Sequence, residues 1–202
     1  MSSSRFPSWA SVFSYANGVV GFVYSFAFLI LLVGGRAPDL GQLLSAVTLL
    51  LGGVLASAVL VALYQRVREA DLGFAMWALA LGGIGSLGAA IHGGYDLAVY
   101  LHPPATLPTD LPSAIDPRGL LTFGLTGLGL LTFAWLMGRS PGFAKGLVWL
   151  AYLSGVLSVG LYLGRLILLQ PTHPVIAFMA VAEGFIVNPA FCIWLGSALR
   201  KY

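Results

Sequence analysis

Six long apolar blocks divide this chain and restrict it to few possible folds. They lie near residues 12–34, 41–65, 72–101, 117–138, 143–169 and 174–199. Each block exceeds the roughly 20 residues with which a helix crosses the hydrocarbon core of a bilayer. Spanning strands would alternate apolar and polar residues over about ten positions, and these blocks do not. The sequence therefore predicts an all-α polytopic membrane bundle of six transmembrane helices, with residues 1–202 forming a single integral membrane domain.

Composition supports the same interpretation. Hydrophobic residues make up 58% of the chain, charged residues only 8%, and the mean hydropathy is +0.92. A soluble domain carries about 25% charged residues. The 26 glycines suit helices that approach closely in lipid, and the predicted packing faces are LGGIGSLGAA (81–90) and TFGLTGLG (122–129).

The basic residues predict the orientation of the bundle. An even number of spans places both termini on one side, together with the 66–71 and 138–146 loops. Seven Lys and Arg residues lie on that side and two on the other, namely Arg5, Arg66, Arg68, Arg139, Lys145, Arg200 and Lys201 against Arg36 and Arg118. By the positive-inside rule the termini are cytoplasmic, in a prokaryotic inner membrane. All five tryptophans fall toward the same face.

Proline and cap residues predict several helix boundaries. The pairs Asp116-Pro117, Ser140-Pro141 and His173-Pro174 each place proline in a first helical turn, where its missing N–H costs nothing. Asp116 and Ser140 are also good N-cap residues. Residues 102–116, between the third and fourth spans, form a proline-rich connection that either covers an outward-facing cavity or simply joins the two helices.

A weak internal similarity suggests a 3+3 inverted repeat. A shift of about 102 residues lays GGVLASAVL (52–60) over SGVLSVGLY (154–162). Each half would contain three spans, so the halves would be inverted in the membrane, as in many secondary transporters.

Four charged or titratable side chains interrupt the apolar blocks. His92 and Asp96 are four residues apart on the third span, Arg165 is on the fifth and Glu183 is on the sixth. Each costs roughly 2.5–3.5 kcal/mol to insert, so each needs an explanation. All four are predicted in the outer half of the membrane, with Asp96 near Arg165 and His92 near Glu183. Alternatively, Asp96 and Arg165 form a structural ion pair at the membrane interface.

Glu183 and its neighbours are the deepest of these polar positions. Apolar residues flank Glu183 on both sides, so it is protonated, paired with Arg165 or His92, or exposed to a wet cavity. Asn188 and Pro189 follow on the same span. The proline removes a backbone hydrogen bond and is expected to bend the helix, either opening a polar pocket or forming a packing kink that Asn188 satisfies.

The sequence indicates no disulfide, no haem or metal site and no nucleic-acid-binding site. Cys192 is the only cysteine, so the chain has no intramolecular disulfide. No two histidines have a spacing that would bind haem or a metal ion together. The net charge of +3 is spread over short loops without a basic run, which argues against nucleic acid as a partner. The sequence indicates no particular cofactor.

The last third of the chain resembles a known group. GRSPGFAKGLVWLAYLSGVLSV and PTHPVIAFMAVAEGFIVNPAFCIWLG are similar to the closing helix pair of a broad group of uncharacterised six-span bacterial membrane proteins, classed as a domain of unknown function. The matching positions are Pro141, Gly142, Gly146, Glu183, Trp194 and Leu195. The resemblance implies a six-helix inner-membrane bundle, marks Glu183 as a position of interest and implies no activity.

Three functional hypotheses follow. The favoured one is an accessory or lipid- or small-molecule-binding membrane subunit, with membrane lipids and other membrane protein subunits as partners. The second is a small proton-coupled carrier that uses His92, Asp96, Arg165 and Glu183. The third is an intramembrane enzyme acting on a lipid or isoprenoid, with Glu183 or Asp96 as general acid and His92 as base. Because no complete catalytic set is recognisable, a non-enzymatic function is preferred.

Overall fold

The computed structural model describes residues 5–103, 119–168 and 173–200. These residues form six long helices and no strand. The helices are α1 (Phe6–Val33), α2 (Pro38–Val67), α3 (Leu72–Leu101), α4 (Leu120–Met137), α5 (Lys145–Leu168) and α6 (Pro174–Arg200). Each is long and apolar enough to cross a membrane. The predicted all-α six-span bundle is confirmed, and the chain is a multi-pass membrane protein.

The helices are arranged as a ring in chain order. Each helix packs against the next, and α1 closes the ring by packing against α6. Because successive helices alternate in direction, α1 begins and α6 ends at the same end of the bundle. We call this the terminal end and the opposite one the distal end.

Small residues allow the helix backbones to approach closely. A β-carbon on Gly53 of α2 would collide with the backbone of Ser86 and Ala90 on α3, and one on Gly129 of α4 would collide with Gly82 of α3. Both predicted packing faces therefore lie at helix contacts. Apolar association gains little in lipid, so close van der Waals contact between backbones is the main attraction available.

The seam between α1 and α6 combines small residues with hydrogen bonds. Its α1 side presents Ser11, Ser14, Gly18, Gly21 and Ser25, a three-four spacing that keeps all five on one helix face. The Ser11 hydroxyl donates to the Gly196 carbonyl and the Ser14 hydroxyl to the Cys192 carbonyl, each at 2.7 Å. The ring is thus closed by polar as well as steric contacts.

The two halves of the bundle differ in character. The terminal half holds the apolar core, where the largest fully buried side chains are Leu63, Phe133, Leu136, Met137, Leu147 and Leu195. His92, Asp96, Arg165 and Glu183 lie in the distal half, by their positions along their helices. The distal half also contains three π-helical segments, Phe26–Val33, Leu120–Leu125 and Glu183–Val187. Such wide turns occur frequently at functional sites.

The terminal end carries an aromatic belt. All five tryptophans lie there, as expected, and Trp9, Trp77, Trp149 and Trp194 are exposed on the bundle surface. Trp135 is partly buried, and the Arg139 guanidinium lies 3.8 Å from the centre of its ring. Tryptophan prefers the level of the lipid headgroups, so this belt marks where the terminal end meets the membrane surface.

Helix boundaries agree with the sequence in two places and differ in a third. Helix α3 covers residues 72–101 as predicted, with Asp71 accepting from the Phe74 N–H, and α6 begins at Pro174. Helix α5 begins at Lys145, however, so the prediction of Ser140 as its N-cap was wrong. The Ser140 hydroxyl instead donates to the Leu136 carbonyl at 3.0 Å, extending the hydrogen bonding of α4.

Two predictions remain open. The Asp116-Pro117 helix start and residues 104–116 of the proline-rich connection lie outside the described residues. The 3+3 inverted repeat also stays a prediction. The π-helical segments give it no support, since they do not fall at positions related by the proposed shift.

Replacing Gly53 with alanine should destabilise the bundle. The new methyl group would meet the α3 backbone, which cannot rotate away, so we expect a loss of about 1–3 kcal/mol, the usual cost of overpacking. Thermal unfolding in detergent measures the effect. The matched control is Gly83→Ala, because a β-carbon there meets nothing within 4 Å. Equal melting temperatures for the two variants would show that the α2–α3 contact does not hold the ring together.

Candidate functional site

Glu183 opens a π-helical turn in the middle of α6. The turn covers Glu183–Val187, and regular α-helix resumes at Asn188 and Pro189. Pro189 has no N–H to give the carbonyl four residues earlier, and its ring crowds that carbonyl. A widened turn accommodates this conflict without breaking the helix. The interruption expected at Asn188-Pro189 therefore takes the form of a π turn that places Glu183 at its start.

Asn188 is held against α1. Its side-chain oxygen accepts from the Cys192 thiol at 3.2 Å, and its amide nitrogen lies where a β-carbon on Gly21 would be. The Asn17 amide also reaches the Cys192 sulfur, at 3.8 Å. Asn188 is therefore bonded to another side chain of its own helix and helps to fix the α1–α6 seam beside Glu183.

The two oxygens of the Glu183 carboxyl group have different environments. Oε1 accepts a hydrogen bond of 2.5 Å from the Ser154 hydroxyl on α5. Oε2 is buried and has no hydrogen-bond partner among the described residues. The following residue, Gly184, lies directly against Ser25 of α1, which brings the two helices together beside the carboxyl group. One half of the carboxyl group is thus fixed by the protein, and the other half can accept a further donor.

Arg165 carries a second buried polar atom without a partner. It lies on α5 about three turns from Ser154, toward the distal end. Its Nε has no hydrogen-bond partner among the described residues, and no ion pair within 4 Å links it to Glu183. The described structure joins Glu183 to Ser154, so a direct Arg165–Glu183 pair is not part of this arrangement.

Tyr24 lies near the two charged residues that were expected to pair. It lies on α1 and is close enough to both Asp96 and Arg165 to feel the charge of each. Tyr24 therefore belongs to the polar part of the distal half. Its sequence position gave no indication of this, because tyrosine in an aromatic-rich span is common.

His92 contacts a carboxylate on its own helix and a hydroxyl group on the neighbouring helix. Its Nε2 lies 3.3 Å from the Asp96 Oδ2 one turn further along α3, and its Nδ1 lies 3.4 Å from the Thr122 hydroxyl of α4. Thr122 is buried within the π-helical segment Leu120–Leu125. The side chains of His92 and Asp96 are 21% and 38% exposed, so this pair is accessible in a way that Glu183 Oε2 is not.

The distal half thus presents two arrangements with different chemistry. One is the His92–Asp96–Thr122 group, whose members are bonded to one another. The other comprises two separate buried polar atoms, Glu183 Oε2 and Arg165 Nε, which have no hydrogen-bond partner in the part of the chain that the structure describes. Arg165 lies about three helical turns from Ser154, the residue bonded to Glu183. Among the described residues no three His, Cys, Asp or Glu side chains are grouped so that they could hold a metal ion. Only an organic ligand long enough to reach both positions could satisfy the two atoms, with a donor for Glu183 Oε2 and an acceptor for Arg165 Nε.

Comparisons with protein-family models, with curated proteins and with solved structures give no match to this chain. The resemblance of the last two helices to uncharacterised six-span bacterial proteins therefore stays a prediction. The functional argument rests on the geometry of the site alone.

Double-mutant cycles should separate the contacts of Glu183. Combining Ser154→Ala with Glu183→Leu should give a coupling energy of about 0.5–3 kcal/mol, because each substitution removes the hydrogen bond that the two side chains share. Combining Arg165→Gln with Glu183→Gln should give a coupling energy below about 0.5 kcal/mol. Unfolding in detergent supplies the free energies. Ser57→Ala is the control, since the hydroxyl of this half-buried serine donates to the Val54 carbonyl of its own helix. Strong coupling of Arg165 to Glu183 would contradict the arrangement described above.

Proposed function

We propose that this protein is a membrane-embedded binding subunit that holds an amphiphilic small molecule or lipid, with the polar part of the ligand in the distal half of the ring. The observation that carries the proposal is that two buried polar atoms of the distal half, Glu183 Oε2 and Arg165 Nε, have no hydrogen-bond partner among the described residues. Glu183 would accept from a hydroxyl or amine of the ligand, and Arg165 would donate to an acidic or carbonyl oxygen.

Energetics favour a ligand at this position. A buried polar group without a hydrogen bond costs about 1–3 kcal/mol, and a charged group costs more. A ligand that satisfies both atoms offsets these costs, which are incurred when the empty protein folds. The terminal half is filled by Leu63, Phe133 and Leu136, so the ligand would enter from the distal end or between helices from the lipid.

The orientation of the protein, its membrane and its partner subunits are part of the same proposal. The excess of arginine and lysine and the tryptophan belt at the terminal end support cytoplasmic termini. The resemblance to six-span bacterial proteins supports a prokaryotic inner membrane. Other membrane protein subunits are further proposed partners, and the exposed apolar surface of the helices is available to them as it is to lipid.

Orientation can be tested with single reactive thiols. In a Cys192→Ala background, Ser140→Cys at the terminal end should be protected from an impermeant maleimide in intact cells and labelled after lysis. Arg36→Cys at the distal end should be labelled in intact cells. The opposite pattern would reverse the proposed topology. Cys192→Ala alone, which has no thiol, is the control for background labelling.

A second candidate function is a proton-coupled carrier. It is favoured by the His92–Asp96 pair, which is titratable, partly exposed and in the same half as Glu183. A carrier should move a solute in response to a pH gradient across proteoliposomes, and His92→Gln should abolish the response. A binding subunit would retain its ligand and show no transport.

Ligand retention provides the main test of the binding proposal. Native mass spectrometry of the gently extracted protein should show a bound small molecule. Occupancy should fall at least about tenfold in Glu183→Gln and in Arg165→Gln, since a hydrogen bond to a charged group contributes about 1.5–3 kcal/mol. The matched controls are Asp39→Asn and Arg36→Gln, two exposed charges at the same end, and both should keep the ligand. A wild-type protein without ligand, or four variants with equal occupancy, would overturn the proposal.

A further inference from the structure

A cleft at the terminal end of the bundle is separate from the distal site. It has a volume of about 350 Å³ and lies between the end of α2 and the loop that joins α4 to α5. Gln65, Arg66 and Glu69 contribute to one wall, and Arg139 and Ser140 contribute to the other. Two arginines from different parts of the chain therefore line one small space.

Arg139 is held in place by aromatic side chains. Its guanidinium lies 3.8 Å from the centre of the Trp135 ring, and that ring lies 5.1 Å from the Phe74 ring on α3. A guanidinium against an aromatic ring still has N–H groups along its edges that can donate. This fixed geometry reduces the side-chain entropy that binding would cost.

The charges in the cleft favour an anion. Arg66 and Arg139 bring two positive charges and Glu69 brings one negative charge, which leaves one excess positive charge. Arg68 and Lys145, both exposed, follow closely in the chain and add to the positive potential at this end. The Gln65 amide offers a further donor. Forked guanidinium donors match the oxygens of a phosphate group, which they bind in pairs.

The position of the cleft relates it to lipid headgroups. Trp135, which holds Arg139, belongs to the tryptophan belt that marks the membrane surface at this end. Basic pockets between helices at such a surface bind anionic lipid headgroups. We propose that the Arg66–Arg139 cleft binds a phosphate group, supplied either by an anionic phospholipid or by a soluble phosphate compound.

The experiment compares variants of the full-length protein in lipid nanodiscs. The probes are phosphatidylglycerol in a phosphatidylcholine background, and inorganic phosphate or glycerol 3-phosphate added to pure phosphatidylcholine discs. Native mass spectrometry should show retained phosphatidylglycerol in the wild-type protein, and retention should fall at least about tenfold in the Arg66→Gln/Arg139→Gln variant, which loses two charge-assisted contacts. The matched control is Arg68→Gln, which removes an exposed charge outside the cleft lining.

The outcomes separate the two sources of phosphate. Retention of phosphatidylglycerol that depends on both arginines assigns the cleft to a lipid headgroup. Binding of inorganic phosphate or glycerol 3-phosphate with the same dependence, and no preference for phosphatidylglycerol, assigns it to a soluble phosphate compound. Equal behaviour of the double variant and Arg68→Gln with every probe would overturn the proposal. The Arg66→Gln/Arg139→Lys variant keeps the charge at position 139 but replaces the stacked guanidinium. Compared with the double glutamine variant, it should recover less than half of the lost retention. Full recovery would show that binding depends on the charge and not on the guanidinium geometry, and would overturn that part of the proposal. Because Glu183 and Arg165 are unchanged, failure here leaves the distal ligand proposal unaffected.

Discussion

Close contact between helix backbones is the interaction on which the six-helix ring depends. Lipid tails are as apolar as leucine, so burying an apolar side chain between membrane helices gains little. The helices instead meet where one of them has no side chain, as at Gly53 against the backbone of α3 and at Gly129 against Gly82. Serine hydroxyls add hydrogen bonds to carbonyls at the α1–α6 seam. Together these contacts explain why so glycine-rich a chain forms an ordered bundle.

The terminal and distal halves of the bundle differ because close packing fills only the terminal half. In the terminal half, large side chains such as Phe133 and Leu136 fill the ring, and the buried Ser11 and Ser14 hydroxyls are hydrogen-bonded to α6. In the distal half, three helices widen into π-helical turns, and polar side chains occupy the same region. A π turn releases backbone groups from their regular partners and shifts the side chains after it. The distal half thereby holds Glu183 and Thr122 in positions that an ideal helix would not provide.

Much of the fold could be predicted from the sequence, and much of the site could not. Apolar length alone predicted six spans and the extent of α3, and Pro174 correctly marked the start of α6. The Ser140-Pro141 pair misled because Ser140 bonds backward to α4, a choice that depends on the turn that follows it. Sequence patterns predict a helix well where its length is set by the thickness of the membrane. They fail at Ser140, whose hydroxyl can bond either forward as an N-cap or backward to α4.

The partners of the polar residues required the three-dimensional structure. Glu183 and His92 stood out in the sequence because charge is rare in apolar blocks. Ser154 did not, since serine in a membrane helix is indistinguishable from any other small packing residue. The same holds for Thr122, which contacts His92 from a neighbouring helix. Charge density identifies candidate positions, whereas helix adjacency and rotation decide which of them meet.

The seam between α1 and α6 also has a consequence for biogenesis. Within this bundle α1 is synthesised before α6, so the Ser11 and Ser14 hydroxyls of α1 find the carbonyls to which they bond only when α6 arrives. Until then the nascent bundle is an open arc with one polar face of α1 turned toward lipid or the insertion machinery. Closure of the ring therefore has to wait for α6, and the same step completes the environment of Glu183, since that residue belongs to α6.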